Sequence, residues 1–245
     1  MKLKILSWNV WGGRRLDEVI EFLRHAEADV IFLQEVIEDD REGNTALTIA
    51  HALGYQGCAF AIDMDIPSAY TGPLRAKNEI IKFGNAIISS YEIVKRGRYD
   101  LSPEQSRTVS GAEIRAGDTV LHAFSVHLKH LHVRGSYPEI EARQKTQTDA
   151  LRALASRERT IVAGDFNTVP GTYPIEKMRE AFENAEAGSA TPTWAVYKEG
   201  CRCAPSSVQY KFDYIFATKD LSPRSFEVAQ SKASDHLPVF SFIIV

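Results

Sequence analysis

The sequence predicts an α/β protein in which two packed, mixed β-sheets are flanked by helices. Three observations lead there. Strand-like segments follow one another without a helix in the middle of the chain and again at its end. Elsewhere strands and helices alternate. Val30-Ile31-Phe32-Leu33 is a short continuous apolar run of the kind a strand buried on both faces requires. The mixture favours two sheets with helices outside over a purely parallel, doubly wound sheet.

In chain order, Lys2 to Trp8 alternates charged and apolar residues and reads as a strand. Leu16, Val19, Ile20 and Leu23 fall at the i, i+3, i+4, i+7 spacing of an amphipathic helix. Val30 to Leu33 is the next strand, and Thr45 to Leu53 reads as helical. Phe83 to Ser89 and Thr119 to Ser125 read as strands, with Arg107 to Ile114 as partner of the second. Ile140 to Ser156 is a long helix with a charged outer face, and Thr160 to Ala163, Phe212 to Ala217 and Val239 to Val245 complete the strands. Asp63 to Lys82, His130 to Glu139 and Gly188 to Gln209 are long irregular loops, a length often put to functional use. No repeat, low-complexity tract or linker interrupts the 245 residues, so one domain over 1–245 is expected.

A hydrophobic fraction of 44% with 25% charged residues is that of a soluble globular protein. The net charge of −3 does not advertise a non-specific nucleic-acid binder, although local cations or bound divalent ions would offset it. The N-terminus lacks the basic-then-apolar plan of an export signal, and no run approaches a membrane span. Three cysteines, Cys58, Cys201 and Cys203, do not make a disulfide framework and fit a reducing cytoplasm. Cys201-x-Cys203 has no visible second half for a metal site.

Chemistry-bearing residues recur where apolar runs end. Asn9 ends the first strand, Glu35 the second and His127 a middle one. Gly164-Asp165-Phe166-Asn167 ends another, Asp213 opens the strand after it, and Ser234-Asp235-His236 precedes the last. Alternate residues of a strand share a face, so Asp165 and Asn167 would reach one small site. Each residue alone has a plainer reading. Asn9 would serve a turn before Gly12-Gly13, Glu35 a surface, His127 a core, Asp165 and Asn167 an Asx turn, Asp213 and Asp235 caps, His236 packing. Charged groups beside apolar neighbours are costly unless paired, and several at strand ends would relieve one another around a cation.

Trp8-Asn9, Leu33-Gln34-Glu35-Val36, Ser125-Val126-His127-Leu128, Gly164-Asp165-Phe166-Asn167, Asp213-Tyr214-Ile215 and Ser234-Asp235-His236-Leu237-Pro238 together resemble the endonuclease/exonuclease/phosphatase (DNase I-like) superfamily across residues 7–239. Gly84-Asn85-Ala86-Ile87-Ile88-Ser89 resembles a strand of the same family. The resemblance implies a four-layer α/β sandwich and phosphoester hydrolysis with Mg²⁺ or Mn²⁺. Glu35 would be the main metal ligand, with Asn9 and Asp235 completing or supporting the shell. Asp165 would orient and deprotonate the attacking water, and Asn167 would donate to a non-bridging oxygen. His236, oriented by Asp213, would contact the phosphate, and His127 would lie near the leaving group.

The substrate class is less constrained. Tyr210-Lys211-Phe212 stands where abasic-site endonucleases carry Gly-Trp-Arg, and the Cys-Asp-Arg element of inositol 5-phosphatases is missing. Thr168-Val169-Pro170 after the asparagine is similar to tyrosyl-DNA phosphodiesterase-like and deadenylase-like enzymes. Lys129, Arg134, Arg143 and Lys145 would track a phosphodiester backbone or simply face solvent. Tyr70, Tyr137, Trp194 and Tyr197 would stack on a base, hold an apolar group or pack the loops. His122, His130 and His132 match no motif. The leading expectation is a monomeric, cytoplasmic phosphodiesterase of nucleic acid. The alternatives are a hydrolase of small or lipid-headgroup phosphoesters and an inactive binding scaffold.

Overall fold

The computed structural model describes residues 1–39, 43–67, 80–102, 107–130, 137–186, 191–198 and 204–245. The side chains of Tyr137 and Pro138 are not described. In chain order the elements are β1 (Lys2–Asn9), α1 (Leu16–Ala26), β2 (Val30–Asp39), β3 (Gly43–Asn44), α2 (Thr45–Leu53), β4 (Gly57–Pro67), β5 (Ile80–Ser89), β6 (Glu92–Ser102), β7 (Arg107–Ala116) and β8 (Thr119–His127). Then follow α3 (Tyr137–Leu154), β9 (Thr160–Asp165), α4 (Tyr173–Ala181), β10 (Phe182–Asn184), β11 (Asp213–Thr218), β12 (Ser222–Val228) and β13 (Val239–Ile244).

The strands form two mixed sheets. One runs β12-β13-β1-β2-β5-β4, with β3 on β2, and the other runs β10-β11-β9-β8-β7-β6. Each sheet has one parallel pair at its centre, β1 with β2 and β8 with β9; every other pairing is antiparallel. Helix α1 connects the first parallel pair and α3 the second. Alternation along the strands divides the core into layers. Leu3, Ile5, Val30 and Phe32 from one sheet meet Ile114, Leu121, Ile161 and Ile215 from the other. On the opposite faces, Leu6, Ile31 and Leu33 pack with Val19, Leu23 and Ile49 of α1 and α2. Val126, Val162 and Phe216 pack with Leu151, Ile175 and Met178 of α3 and α4. The result is the four-layer sandwich that the resemblance implies.

The central strands fall where the sequence puts them, although β2 runs on to Asp39 and so holds Glu35 within it, while β3, β4, β6, β10 and β12, along with α4, go beyond that reading. Asp63–Pro67 and Ile80–Lys82, read as loop, belong to β4 and β5. These strands sit at or near sheet edges, and β6 carries Lys95, Arg96, Arg98 and Asp100, a charge content that protects an edge and hides the strand pattern. Residues 68–79, 131–136, 187–190 and 199–203, with Tyr70, His132, Arg134, Cys201 and Cys203, lie outside the described residues. Among the described residues no helix is long and apolar enough to cross a membrane.

Gly164 shows how tightly β9 meets β8. A Cβ there would stand 1.9 Å from the Val126 carbonyl oxygen, at a backbone φ of +155°. Gly164→Ala must therefore displace a core strand one residue before Asp165. We expect it to destabilise the fold by about 3 kcal/mol or more, read by chemical denaturation; an unchanged midpoint would contradict this packing.

Candidate active site

The topology gathers the polar strand ends. Asn9 ends β1, Glu35 follows Gln34, the last residue of β2 to pair with β1, in a strand that runs on to Asp39, and His127 and Asp165 end the parallel pair β8/β9. Strands β11 and β13 run antiparallel to these, so their beginnings reach the same edge: Asp213 pairs with Asp165, and Val239, just after Asp235 and His236, pairs with Ser7. The carboxyl ends of central parallel strands are a common place for a binding crevice. Side chains sew the two sheets together here. Asn9 Nδ2 donates to Asp165 Oδ2 at 3.2 Å, and Gln34 Nε2 donates to Ser125 Oγ at 3.1 Å. The eight residues expected from sequence thus form one connected cluster.

Asp165 is its centre and is 1% exposed. Its Oδ1 accepts the Asn167 N–H at 2.8 Å, and its Oδ2 lies 3.5 Å from His127 Nε2 and 3.6 Å from His236 Nε2. Simple strand alternation is not what brings Asp165 and Asn167 together. β9 stops at Asp165, and Asn167 turns back in a left-handed conformation (φ 51°) through an Asx turn. The turn and the site are one structure. Burial pushes the Asp165 carboxyl up to about 7, with Asp213 adding to the rise and His236 and the Asn hydrogen bonds opposing it.

His236 Nδ1 is 2.9 Å from Asp213 Oδ2. Burial disfavours its charged form, but Asp213, Asp165 and Asp235 outweigh that and raise it to about 10, so it is an imidazolium at neutral pH. His127 goes the other way. Burial, then the charges of Arg107 and His236, hold it well below the usual histidine range, so it is neutral. Two histidines with opposite charge states flank one carboxylate, a division that suits phosphate binding by one and proton handling by the other.

On the other side, Glu35 sits at a bulge in the β2–β5 ladder, between Leu33 and Val36, with φ 56°. Gly84-Asn85 is the segment opposite that bulge, and a Cβ on Gly84 would stand 2.0 Å from the Ala61 carbonyl oxygen. Asn85 Nδ2 reaches across to the Thr108 carbonyl at 3.0 Å, tying the sheets beside the site. Burial and the nearby Asp235 raise Glu35 to about 7, against the lowering effects of His236, Asn9 and Arg107. Burial likewise raises Asp235, against the pull of His236 and of Trp194 Nε1, which lies 3.3 Å from its Oδ2. Asn9 hydrogen-bonds both Glu35 and Asp165, while its Oδ1 accepts the Trp11 N–H at 3.0 Å.

Two groupings fit a metal ion. Ligand atoms of Asp165, Asp213 and His236 lie within 4.8 Å of one another, the one such His/Cys/Asp/Glu group among the described residues. There, however, each imidazole nitrogen of the cationic His236 faces a carboxylate. Glu35 and Asp235 repel each other and offer the carboxylate oxygens that a hard divalent cation takes, while Asn9 beside them donates to Glu35 and gives its Oδ1 to the Trp11 N–H.

Two participants carry no motif. Arg107, 6% exposed, opens β7; its Nη1 pairs with Asp63 at 2.9 Å, its charge acts on Glu35 and His127, and its Nε has no hydrogen-bond partner among the described residues. His130 Nδ1 lies 2.6 Å from Asn167 Oδ1. Trp194 is buried and stacks on Phe212, so it walls the site rather than offering an open face, and Tyr197 stacks on Trp11. Arg143 and Lys145 are exposed, and Lys145 is bound to Asp149 and Tyr173 on the helix surface.

The comparisons agree with this architecture. The chain is similar to the endonuclease/exonuclease/phosphatase from Beutenbergia cavernae DSM 12333 at 19% identity, with a TM-score of 0.79 over 99% of this chain and 71% of that one. It is similar to the beta toxin of Staphylococcus aureus at 16% identity (TM-score 0.72, 98% and 99% covered). For truncated Caenorhabditis elegans TDP2 the identity is 18% and the TM-score 0.69, with 100% and 98% covered. At such identities these likenesses establish the fold alone. No curated protein sequence matches the chain. The profile of one family, however, spans residues 6–236, from the first strand to the histidine before the last, and by that match the chain belongs to the endonuclease/exonuclease/phosphatase family.

Proposed function

We propose that this protein is a divalent-metal-dependent phosphodiesterase acting on nucleic acid. The observation that carries the reading is Asp165: a buried carboxylate between a neutral and a cationic histidine, across from the repelling pair Glu35 and Asp235. Mg²⁺ or Mn²⁺ held by Glu35 and Asp235, with Asn9 supporting the shell, would polarise the phosphoryl oxygen and stabilise the leaving oxygen.

The remaining roles belong to the chain itself. Asp165 orients the attacking water and takes its proton. Asn167 donates an amide N–H to a non-bridging oxygen as charge grows there. His236, held by Asp213, binds the phosphate as a cation. His127, neutral, stands at the leaving-group side. Arg14, whose charge acts on Asp235, and Lys129, whose charge acts on His127, place cations on two sides of the site, which suits a polyanionic backbone. Hydrolysis of small or lipid-headgroup phosphodiesters is the second reading, favoured by the exposed ring of Tyr210, which stacks on Phe212 at the wall of the site.

A substrate panel with Mg²⁺ and Mn²⁺ separates the two: abasic duplex, 5′-phosphotyrosyl DNA, single-stranded DNA and RNA, and a bis-aryl phosphodiester. Nucleic-acid cleavage that weakens steeply with salt supports the first reading. Turnover of the small diester alone, insensitive to salt, replaces it with the second.

A further inference from the structure

We infer that His130 is a positioning residue that fixes the carboxamide of Asn167, an inference resting on the proposed role of Asn167 as donor to the phosphoryl oxygen. The hydrogen bonds leave one arrangement. The Leu128 carbonyl can only accept, and it takes a hydrogen bond from Asn167 Nδ2 at 3.1 Å. The amide oxygen therefore faces His130, whose Nδ1 lies 2.6 Å from it. An amide oxygen cannot donate, so Nδ1 carries the proton. With Oδ1 held by His130 and one N–H on Leu128, a single N–H remains for a substrate oxygen, and the amide cannot turn over without losing both bonds.

His130 is itself held in place. The backbone of the preceding residue, Lys129, is gripped by α3: its N–H goes to Gln147 Oε1 at 2.9 Å and its carbonyl accepts from Gln144 Nε2 at 2.9 Å. Gln144 Nε2 also reaches the Asn167 carbonyl at 3.1 Å, so one helix side chain ties both partners. The His130 ring stands edge-on to Trp194, with centroids 6.0 Å apart, and Trp194 in turn bonds Asp235. His130 thus links Asn167 to Trp194, which bonds Asp235 of the carboxylate pair.

The test uses His130→Ala and His130→Asn in the wild-type chain and His130→Ala in an Asn167→Ala background. Asparagine places an amide N–H near the position of the imidazole Nδ1–H. With a bis-aryl phosphodiester and Mg²⁺, His130→Ala is expected to lower kcat about 10-fold, the size of one hydrogen bond that orients a transition-state donor, with little change in KM. His130→Asn should recover most of that loss. In the Asn167→Ala background, His130→Ala should add less than about a 2-fold effect, because both changes remove the same interaction. The side-chain amide resonances of Asn167 in metal-free, ¹⁵N-labelled protein give a readout independent of turnover: they should move and lose exchange protection in His130→Ala and keep it in His130→Asn. A full additional loss in the double variant, or unmoved Asn167 resonances in His130→Ala, would overturn the inference. If the wild type turned over neither this diester nor any nucleic acid of the panel, the functional reading would fail while the resonances still decided the role of His130.

Discussion

Asp165→Asn is expected to lower kcat by about 10²- to 10⁴-fold with Mg²⁺ saturating, the range for loss of a positioned general base. The change is nearly isosteric, so the argument turns on charge and on hydrogen bonds. Asp165 Oδ1 accepts the Asn167 N–H at 2.8 Å, which would keep the new amide oxygen at that position. The new NH₂ would then face Asn9 Nδ2, now 3.2 Å from Oδ2, and the His236 ring, both donors. The substitution removes the base and sets donor against donor. Stability should not fall in parallel. The Asp165 pKa is raised above its unfolded value, so its favourable contribution is complete below the ordinary aspartate range near pH 4 and is lost as pH rises through about 7. At pH 8 the neutral asparagine avoids that cost. The wild-type rate should climb with pH as Asp165 ionises, and this acidic limb should vanish in the variant. Retention of activity, or an unaltered acidic limb, would remove Asp165 from the mechanism.

The central fold and most of this site were legible because they obey local rules. Val30–Leu33 and Thr160–Ala163 are apolar on both faces as buried parallel strands are, and their ends had to carry whatever polar groups the core rejects. Edge strands followed another rule. Asp63 and Asp65 look like loop residues, yet they lie in β4, where Asp63 meets Arg107 from the opposing sheet. That pairing spans 44 residues and explains why Arg107 carried no signal. His130 escaped for a similar reason, because only its contact with Asn167, 37 residues away, reveals it. The left-handed conformations of Glu35 and Asn167 also escaped, since non-glycine residues rarely adopt them and nothing local announces that a site holds them there.

Glu35 tests that link between strained geometry and a cation. Saturating Mg²⁺ should raise the melting temperature of the wild type, and Glu35→Gln should abolish most of that rise while melting higher, at pH 8, than the wild type without metal. A ligand at 100 times its dissociation constant stabilises by about 2.7 kcal/mol, or about 5–10 °C for a chain of this size. The pH dependence carries the sign. Burial and Asp235 raise Glu35 from 4.5 to about 7. Stability from this group is therefore complete below pH 4.5 and lost as pH climbs through about 7, so the metal-free wild type should lose stability over that window more steeply than the glutamine variant. A cation binds the ionised carboxylate and offsets this loss, so the Mg²⁺-induced rise should grow across the same window. Calorimetric melts at pH 5, 6, 7 and 8, with and without Mg²⁺, separate this from a merely structural glutamate. If Glu35→Gln kept the full Mg²⁺ response, the ion would have to sit elsewhere, with Asp165, Asp213 and His236 as the next ligand set. His236 would then have to give up its proton and at least one of its carboxylate contacts, and the Mg²⁺ response would strengthen as pH rose toward 10 instead of levelling off near 7.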